Sequence, residues 1–148
     1  MSRLFVYYSD SGNGDFVASI MQNKGFEIMK IQPKKELPES FFLKILVGGF
    51  AAMIKEKAPV ENNLNVLRSY SEVYVGTPVW NGRISTPINT VIDALEMKKF
   101  SLICYSGSGK VKGALKRQLK NKRVENIISL VEPLKNKNDT INILNKYV

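Results

Sequence analysis

The feature that most constrains the fold is a regular alternation of short apolar runs with segments of helical period along the 148-residue chain. Leu4-Phe-Val-Tyr-Tyr8 is a continuous β-prone run, which is typical of a strand buried on both faces of a parallel sheet. Further strand-length runs occupy residues 26–31, 73–76, 100–105 and 124–130, and helical segments begin near Phe16, Phe41, Thr86, Val111 and Thr140. Five strands alternating with five helices predict an α/β fold. It would be one domain over residues 1–148, with a doubly wound parallel sheet and helices on both faces.

The composition excludes several kinds of chemistry. The chain has no histidine and a single cysteine, Cys104. It therefore has no Ser-His or Cys-His nucleophile pair and no imidazole ligand, and a zinc site is almost excluded. We accordingly predict no metal site and assign no catalytic residue. Redox or group-transfer chemistry would have to come largely from a bound cofactor.

The sequence also predicts a cytoplasmic protein without a membrane segment. The first residues have the pattern of a strand and not that of a secretory signal. The longest apolar stretch, Phe41 to Ile54, is interrupted by Lys44 and is too short to span a bilayer. Cys104 has no second cysteine with which to form a disulfide, which fits a reducing compartment.

The loop after the first strand has the composition of an anion-binding turn. Ser9-Asp-Ser-Gly-Asn-Gly14 holds two hydroxyls, two glycines and an asparagine, and a helix begins directly behind it. The unpaired N–H groups and the dipole of a helix N-terminus favour a phosphate at such a place. The alternative is a plain polar turn that caps the helix.

Two further loops follow strands whose carboxyl ends should lie at the same edge of the sheet, where doubly wound proteins bind ligands. In Gly76-Thr-Pro-Val-Trp-Asn-Gly82, an exposed Trp80 would offer a flat face to a conjugated ring, and Asn81-Gly82 suits a positive-φ turn. The alternative is a core tryptophan beside an ordinary turn. In Ser106-Gly-Ser-Gly109, small residues leave backbone groups free to contact a ligand edge.

Together these segments resemble the flavodoxin-like family, over most of the chain and in the right order. Val6–Asn13 resembles the strand and phosphate loop of flavodoxins. Val75–Gly82, followed by Pro87, is similar to the flavin loop of short bacterial flavodoxin-family proteins, and Tyr105–Gly109 is similar to their third loop. The resemblance implies a flavodoxin-like sheet with strand order 2-1-3-4-5 and a bound flavin mononucleotide (FMN).

The resemblance also implies a set of cofactor-binding residues. The first loop would hold the phosphate, the second the isoalloxazine and the third its pyrimidine edge. These residues are Ser9, Ser11, Gly12, Asn13 and Gly14 in the first loop, Thr77, Pro78, Val79, Trp80, Asn81 and Gly82 in the second, and Ser106, Gly107, Ser108 and Gly109 in the third. The family usually ends its phosphate loop with Thr or Ser, whereas this chain has Gly14. Asp10 and Asp15 also bring negative charge near the phosphate, so we expect a lowered affinity for FMN.

The net charge of +9 is concentrated in residues 97–148, where 12 Lys and Arg face three acidic residues. Lys112, Lys116 and Lys120 recur every four residues and would form one exposed stripe of a helix. This stripe predicts docking of an acidic redox protein, with a merely solvated basic face as the alternative. No recognised nucleic-acid-binding module accompanies the charge, which argues against nucleic acid as a partner.

Three functions fit these features. The first is an FMN-binding electron-transfer protein that acts between protein partners, which the short chain favours. The second is an FMN-dependent NAD(P)H:quinone-type oxidoreductase, which the unusual basic charge keeps open, although NAD(P)H would have little room without a dimer partner. The third is an interaction module of the same fold without flavin.

Overall fold

The computed structural model describes residues 2–34, 59–111 and 113–148. In these residues the strands are β1 (Arg3–Tyr7), β2 (Glu27–Lys30), β3 (Glu72–Trp80), β4 (Arg83–Ile84), β5 (Phe100–Ser106) and β6 (Val124–Val131). The helices are α1 (Asn13–Asn23), α2 (Thr86–Leu95), α3 (Gly113–Gln118) and α4 (Lys137–Tyr147), with a 3₁₀ helix at Leu64–Ser69. The helix predicted from Phe41 lies outside the described residues. None of the helices described is long and apolar enough to cross a membrane.

The sheet has the predicted parallel arrangement. Its order is β2-β1-β3-β5-β6, and neighbouring strands along this path run parallel. Counting only the parallel strands, this is the predicted order 2-1-3-4-5. The added strand β4 pairs antiparallel with the end of β3 and was not predicted.

The third strand is longer than the sequence predicts, because it does not end at Gly76 but continues to Trp80. Proline normally weakens a strand by removing a backbone donor. Here β1 ends at Tyr7, opposite Gly76, so Pro78 has no β1 residue beside it. Its other neighbour, β5, continues as far as Ser106 and supports the extension.

The Asn81-Gly82 pair forms the predicted positive-φ turn, with φ values of 48° and 74°. It joins β3 to β4 as a two-residue hairpin in which Trp80 pairs with Arg83. Asn-Gly favours this geometry because both central residues of a type I′ turn need positive φ. The hairpin therefore places Trp80 at a fixed position in the sheet and not on a loop.

Alternate residues of β1 enter two separate hydrophobic layers. Leu4 and Val6 pack in the layer that contains the apolar stripe of α2. Phe5 and Tyr7 pack in the layer that contains residues of α1 and α4. Burial on both faces explains why the strand is continuously apolar, and it confirms the prediction of helices on both sides of the sheet.

Candidate functional site

A cavity of about 440 Å³ lies where the segments after β1, β3, β5 and β6 meet. Its volume falls within the range of small-molecule sites, roughly 300–1,000 Å³. Among the described residues it is lined by Asp10, Ser11, Asn13, Pro78, Val79, Trp80, Tyr105, Ser106, Gly107, Glu132, Leu134 and Lys135. All three predicted loops thus reach one cavity. The predicted residues that do not line it are Ser9, Gly12, Gly14, Thr77, Asn81, Gly82, Ser108 and Gly109.

The first loop brings backbone donors together at the start of α1. The Ser9 hydroxyl oxygen accepts hydrogen bonds from the backbone N–H groups of Gly12 and Gly14, each at 3.1 Å. Gly12 is the N-cap of α1 and has φ 86°, a conformation that glycine adopts without strain. An anionic oxygen placed here would meet the same amides and the positive end of the helix dipole.

Asn13 connects the first loop to the segment after β6. Its side-chain oxygen accepts a hydrogen bond from the backbone N–H of Leu134 at 3.0 Å. Its side-chain nitrogen donates to the Ser11 hydroxyl at 3.2 Å. Asn13 therefore holds two walls of the cavity together through both ends of its amide.

Trp80 is buried, contrary to the exposed position that the sequence predicts. Its side chain is 9% exposed, and its indole N–H donates to the carboxylate of Asp10 at 3.1 Å. Its ring meets that of Tyr8 edge-to-face, with 5.9 Å between centroids. The indole therefore joins the end of β3 to the first loop while part of it lines the cavity.

The negative charge of Asp15 is paired away from the first loop. Its carboxylate forms an ion pair with Lys30 at 2.9 Å and accepts a hydrogen bond from the Tyr7 hydroxyl at 2.6 Å. Burial acts to raise the pKa of Asp15, but the hydrogen bonds from Tyr7 and Lys30 and the Lys30 charge lower it below its ordinary value. The repulsion of a phosphate expected from Asp15 is consequently reduced.

Thr77 has a structural role, because its hydroxyl contacts Ser85 and it does not line the cavity. It is completely buried, and its hydroxyl oxygen lies 3.0 Å from that of Ser85 and accepts a hydrogen bond from the Ser85 N–H at 3.2 Å. Ser85 is the N-cap of α2, which begins at Thr86. The buried Thr86 hydroxyl has no hydrogen-bond partner among the described residues. These contacts fix the start of α2 against β3.

The third loop faces the cavity with only its first half. The Ser106 hydroxyl accepts a hydrogen bond from the Gly109 N–H at 2.9 Å, which folds the loop back on itself. Gly109 has φ 68°, and a Cβ there would lie 2.5 Å from a methyl carbon of Val131. Ser106 and Gly107 line the cavity, whereas Gly109 packs against β6.

The segment after β6 forms a fourth wall that the sequence reasoning missed. The Glu132 N–H donates to the Ser106 carbonyl at 2.9 Å, and the Glu132 carboxylate pairs with Lys135 at 2.9 Å. This segment lacks the glycines and hydroxyls that identify the other loops. The sequence feature that could have identified this segment as part of the site is its position directly after a predicted parallel strand. Asp10 and Tyr105 are the other lining residues that were not predicted.

No protein-family model matches the sequence, and a comparison with curated proteins gives no match. Solved structures do match. A Lactobacillus acidophilus flavoprotein in complex with FMN is 18% identical with a TM-score of 0.64, over 93% of this chain and 97% of that one. The two-electron reduced Megasphaera elsdenii flavodoxin is 15% identical with a TM-score of 0.52, over 97% and 95%. An NADPH-quinone reductase from P. pentosaceus is 10% identical with a TM-score of 0.59, over 99% and 97%.

The fold is flavodoxin-like. At these identities the likeness concerns the fold alone, and the strand order agrees with it. A flavodoxin-like sheet binds its ligand beyond the carboxyl ends of the strands, where strand order reverses. Here that switch lies between β1 and β3, which supply the first loop and Trp80 to the cavity.

Lys116 and Lys120, two lysines of the predicted stripe, do not lie together on the described helix. Helix α3 has six residues and ends at Gln118, so the exposed Lys120 lies in the turn beyond it, and Lys112 lies outside the described residues. Lys116 is exposed on α3. The carbonyl of Arg123 bonds to the N–H of Phe100, the first residue of β5, so the positive charge extends to the opposite end of the sheet.

We expect Lys30→Met to raise the pKa of Asp15, because the ion pair is lost while burial still disfavours the charged carboxylate. Carboxyl chemical shifts measured by NMR against pH would report this, with Lys24→Met as the matched control. A lowered folded-state pKa gives stability that is present above the ordinary aspartate value of 3.8 and lost as pH falls through the folded value. Wild type and Lys30→Met should therefore converge in stability at low pH. An unchanged Asp15 titration would contradict the pairing.

Proposed function

We propose that this chain binds FMN in the cavity at the strand ends and transfers electrons between protein partners. The observation that carries the proposal is the convergence of an amide-rich turn, an indole and a glycine-containing loop on one cavity of about 440 Å³. The L. acidophilus flavoprotein of the same fold is solved in complex with FMN, which supports the choice of ligand. Bound FMN would supply one- and two-electron redox chemistry that the chain's own side chains lack.

The first loop would bind the FMN phosphate. The amides of Gly12 and Gly14 already converge on the Ser9 hydroxyl, and Ser11 lines the cavity beside them. Hydrogen bonds to a charged acceptor contribute roughly 1.5–3 kcal/mol each, so neutral donors can hold a dianion without a lysine in the loop. Asp15 is paired with Lys30, so Asp10 is the other carboxylate near the proposed phosphate. An oxygen of Asp10 accepts a hydrogen bond from the indole N–H of Trp80.

The ends of β3 and β5 would bind the isoalloxazine ring. Pro78, Val79 and Trp80 form a mainly apolar wall, and an aromatic face suits a conjugated ring. The Asn81-Gly82 turn follows Trp80 directly in the chain and does not line the cavity, so we propose it as a further contact only for a ring that extends beyond Trp80. Ser106 and Gly107 stand across the cavity, where their backbone groups would contact the pyrimidine edge.

We propose the cytoplasm as the site of this function. Cys104 is a free, buried thiol, and burial raises its pKa to about 12. A thiol that stays protonated is unreactive as a nucleophile, so Cys104 acts as a core residue. Proteins without disulfides are typical of reducing compartments.

Purified protein should bind FMN, seen as quenching of flavin fluorescence and an upward thermal shift on titration.

Trp80→Ala should weaken binding by about 1 kcal/mol, since an aromatic pair contributes roughly 0.5–1.5 kcal/mol beyond area burial. Trp80→Phe should lose less, because it keeps a ring face and removes only the Asp10 hydrogen bond. The control is Tyr147→Ala, an aromatic residue 57% exposed at the end of α4.

Wild-type protein that gives neither quenching nor a thermal shift would contradict FMN binding and favour the flavin-free interaction module. A Trp80→Ala variant with wild-type FMN affinity would instead retain the proposed function. It would show only that the indole does not contact the flavin.

The second candidate is an FMN-dependent NAD(P)H:quinone oxidoreductase. It is favoured by the similarity in fold to the P. pentosaceus NADPH-quinone reductase over 99% of this chain. Steady-state oxidation of NADH or NADPH with a quinone acceptor separates the two functions. A carrier should turn over only when a separate reductase is added. Turnover by the FMN-loaded protein alone, abolished when FMN is omitted, would favour the oxidoreductase.

We propose an acidic redox protein as the partner, docking through Lys112, Lys116 and Lys120. Helix α3 packs against β4, and the Gln118 side-chain oxygen accepts a hydrogen bond from the Ile84 N–H at 2.8 Å. Lys116 therefore stands on the element beside the Asn81-Gly82 turn. A partner docked there would approach the cavity and not the remote end of the sheet.

Changing Lys112, Lys116 and Lys120 to Glu should slow electron transfer with an acidic ferredoxin-like protein at low salt. The difference from wild type should shrink as salt rises, because screening shortens the reach of exposed charges to roughly 10 Å at 0.1 M. The matched control changes Lys24, Lys98 and Lys146 to Glu, which alters net charge equally at the amino-terminal end of the sheet. Equal slowing of stopped-flow electron transfer in both triple variants would contradict a localised docking face.

A further inference from the structure

Gly14 has no room for a side chain. It is buried in the first turn of α1, and a Cβ placed on it would lie 2.5 Å from the Tyr105 hydroxyl oxygen and 2.9 Å from the Cβ of Ser9. Real Cβ atoms do not approach other atoms so closely. The Tyr105 phenol therefore occupies the volume that a serine or threonine at position 14 would need.

Tyr105 reaches this place from β5, on the far side of β3. It is 3% exposed, yet it lines the cavity together with Asp10 and Ser11 of the first loop. Its hydroxyl donates a hydrogen bond to the backbone carbonyl of Tyr8, immediately before that loop. The hydroxyl is thus a buried donor beside the start of the first loop.

The Tyr105 hydroxyl keeps its proton under ordinary conditions. Burial, and then the negative charge of Asp10, raise its pKa well above the usual value for tyrosine. It therefore has one proton to donate throughout the neutral range. A phosphate oxygen, being charged, is a stronger acceptor than the neutral Tyr8 carbonyl that holds the proton now.

We propose that the Tyr105 hydroxyl is a phosphate-binding donor, in place of the hydroxyl that position 14 cannot supply in this chain. The inference rests on the proposed function, since it concerns the phosphate of the same ligand. The first loop brings hydroxyls from Ser9 and Ser11 only. Tyr105 adds a third from another strand, and its oxygen lies beside Gly14.

Tyr105→Phe removes the hydroxyl and keeps the ring, and its effect should depend on the phosphate. Dissociation constants for FMN and for riboflavin, measured by flavin fluorescence, test this. We expect the FMN constant to rise about tenfold, as for loss of one charge-assisted hydrogen bond, and the riboflavin constant to change less than twofold. Tyr70→Phe is the matched control, because it deletes a phenolic hydroxyl that bonds to Glu27 and does not line the cavity.

A second pair of variants tests the shared volume. Gly14→Thr alone should weaken FMN binding, because the new side chain collides with Tyr105. Gly14→Thr combined with Tyr105→Ala should bind FMN more tightly than Gly14→Thr alone, because the overlap with Tyr105 is removed while the one with the Cβ of Ser9 remains. A double variant that binds no better than Gly14→Thr would contradict this replacement.

The outcomes separate the inference from the proposed function. Equal changes for FMN and riboflavin in Tyr105→Phe would give the hydroxyl a purely structural role between β1 and β5, and would overturn the inference alone. Wild-type protein that binds neither ligand would overturn the proposed function, and the inference with it.

Discussion

Parallel pairing of β1 with β3 and of β3 with β5 is the constraint on which the site depends, because it brings the strand ends to one edge. The strands do not end level. Tyr7, the last residue of β1, lies opposite Gly76, whereas β3 continues to Trp80 and β5 to Ser106. The Tyr8 N–H makes a final bond to the Gly76 carbonyl before the chain turns away. Because β3 and β5 extend beyond the end of β1, space remains beside them, and the cavity forms there.

Hydrogen bonds between segments distant in sequence hold the walls of the cavity in place. Asp10 binds the indole N–H of Trp80, Asn13 binds the Leu134 N–H, and the Ser106 carbonyl accepts from Glu132. A typical hydrogen bond contributes only about 0.5–1.5 kcal/mol net to stability. Their main effect is therefore geometric, since each fixes one loop relative to another and lowers the ordering that a ligand would have to impose.

The central strands β1, β3 and β5 could be predicted because burial on both faces leaves a continuous apolar run in the sequence, whereas the strand order was implied by the resemblance. The end of β3 could not be predicted, since Gly76 and Pro78 look like strand breakers, yet Gly76 pairs with Tyr7 of β1 and Pro78 is tolerated because β1 has stopped before it. Predicted loop residues did reach the cavity, but the Trp80 indole N–H bonds to Asp10, 70 positions away. A local pattern carries no information about such a contact.

The electrostatics of the first loop could not be predicted from the loop sequence either, because charged and polar groups from other strands also act there. Asp10 and Asp15 flank the candidate phosphate site and, counted along the sequence, oppose an anion. In the folded chain Lys30 of β2 pairs with Asp15, while the indole N–H of Trp80 turns towards Asp10. Both compensating groups come from other strands. Affinity for an anion at this turn is therefore a property of the assembled sheet edge and cannot be derived from the loop sequence alone.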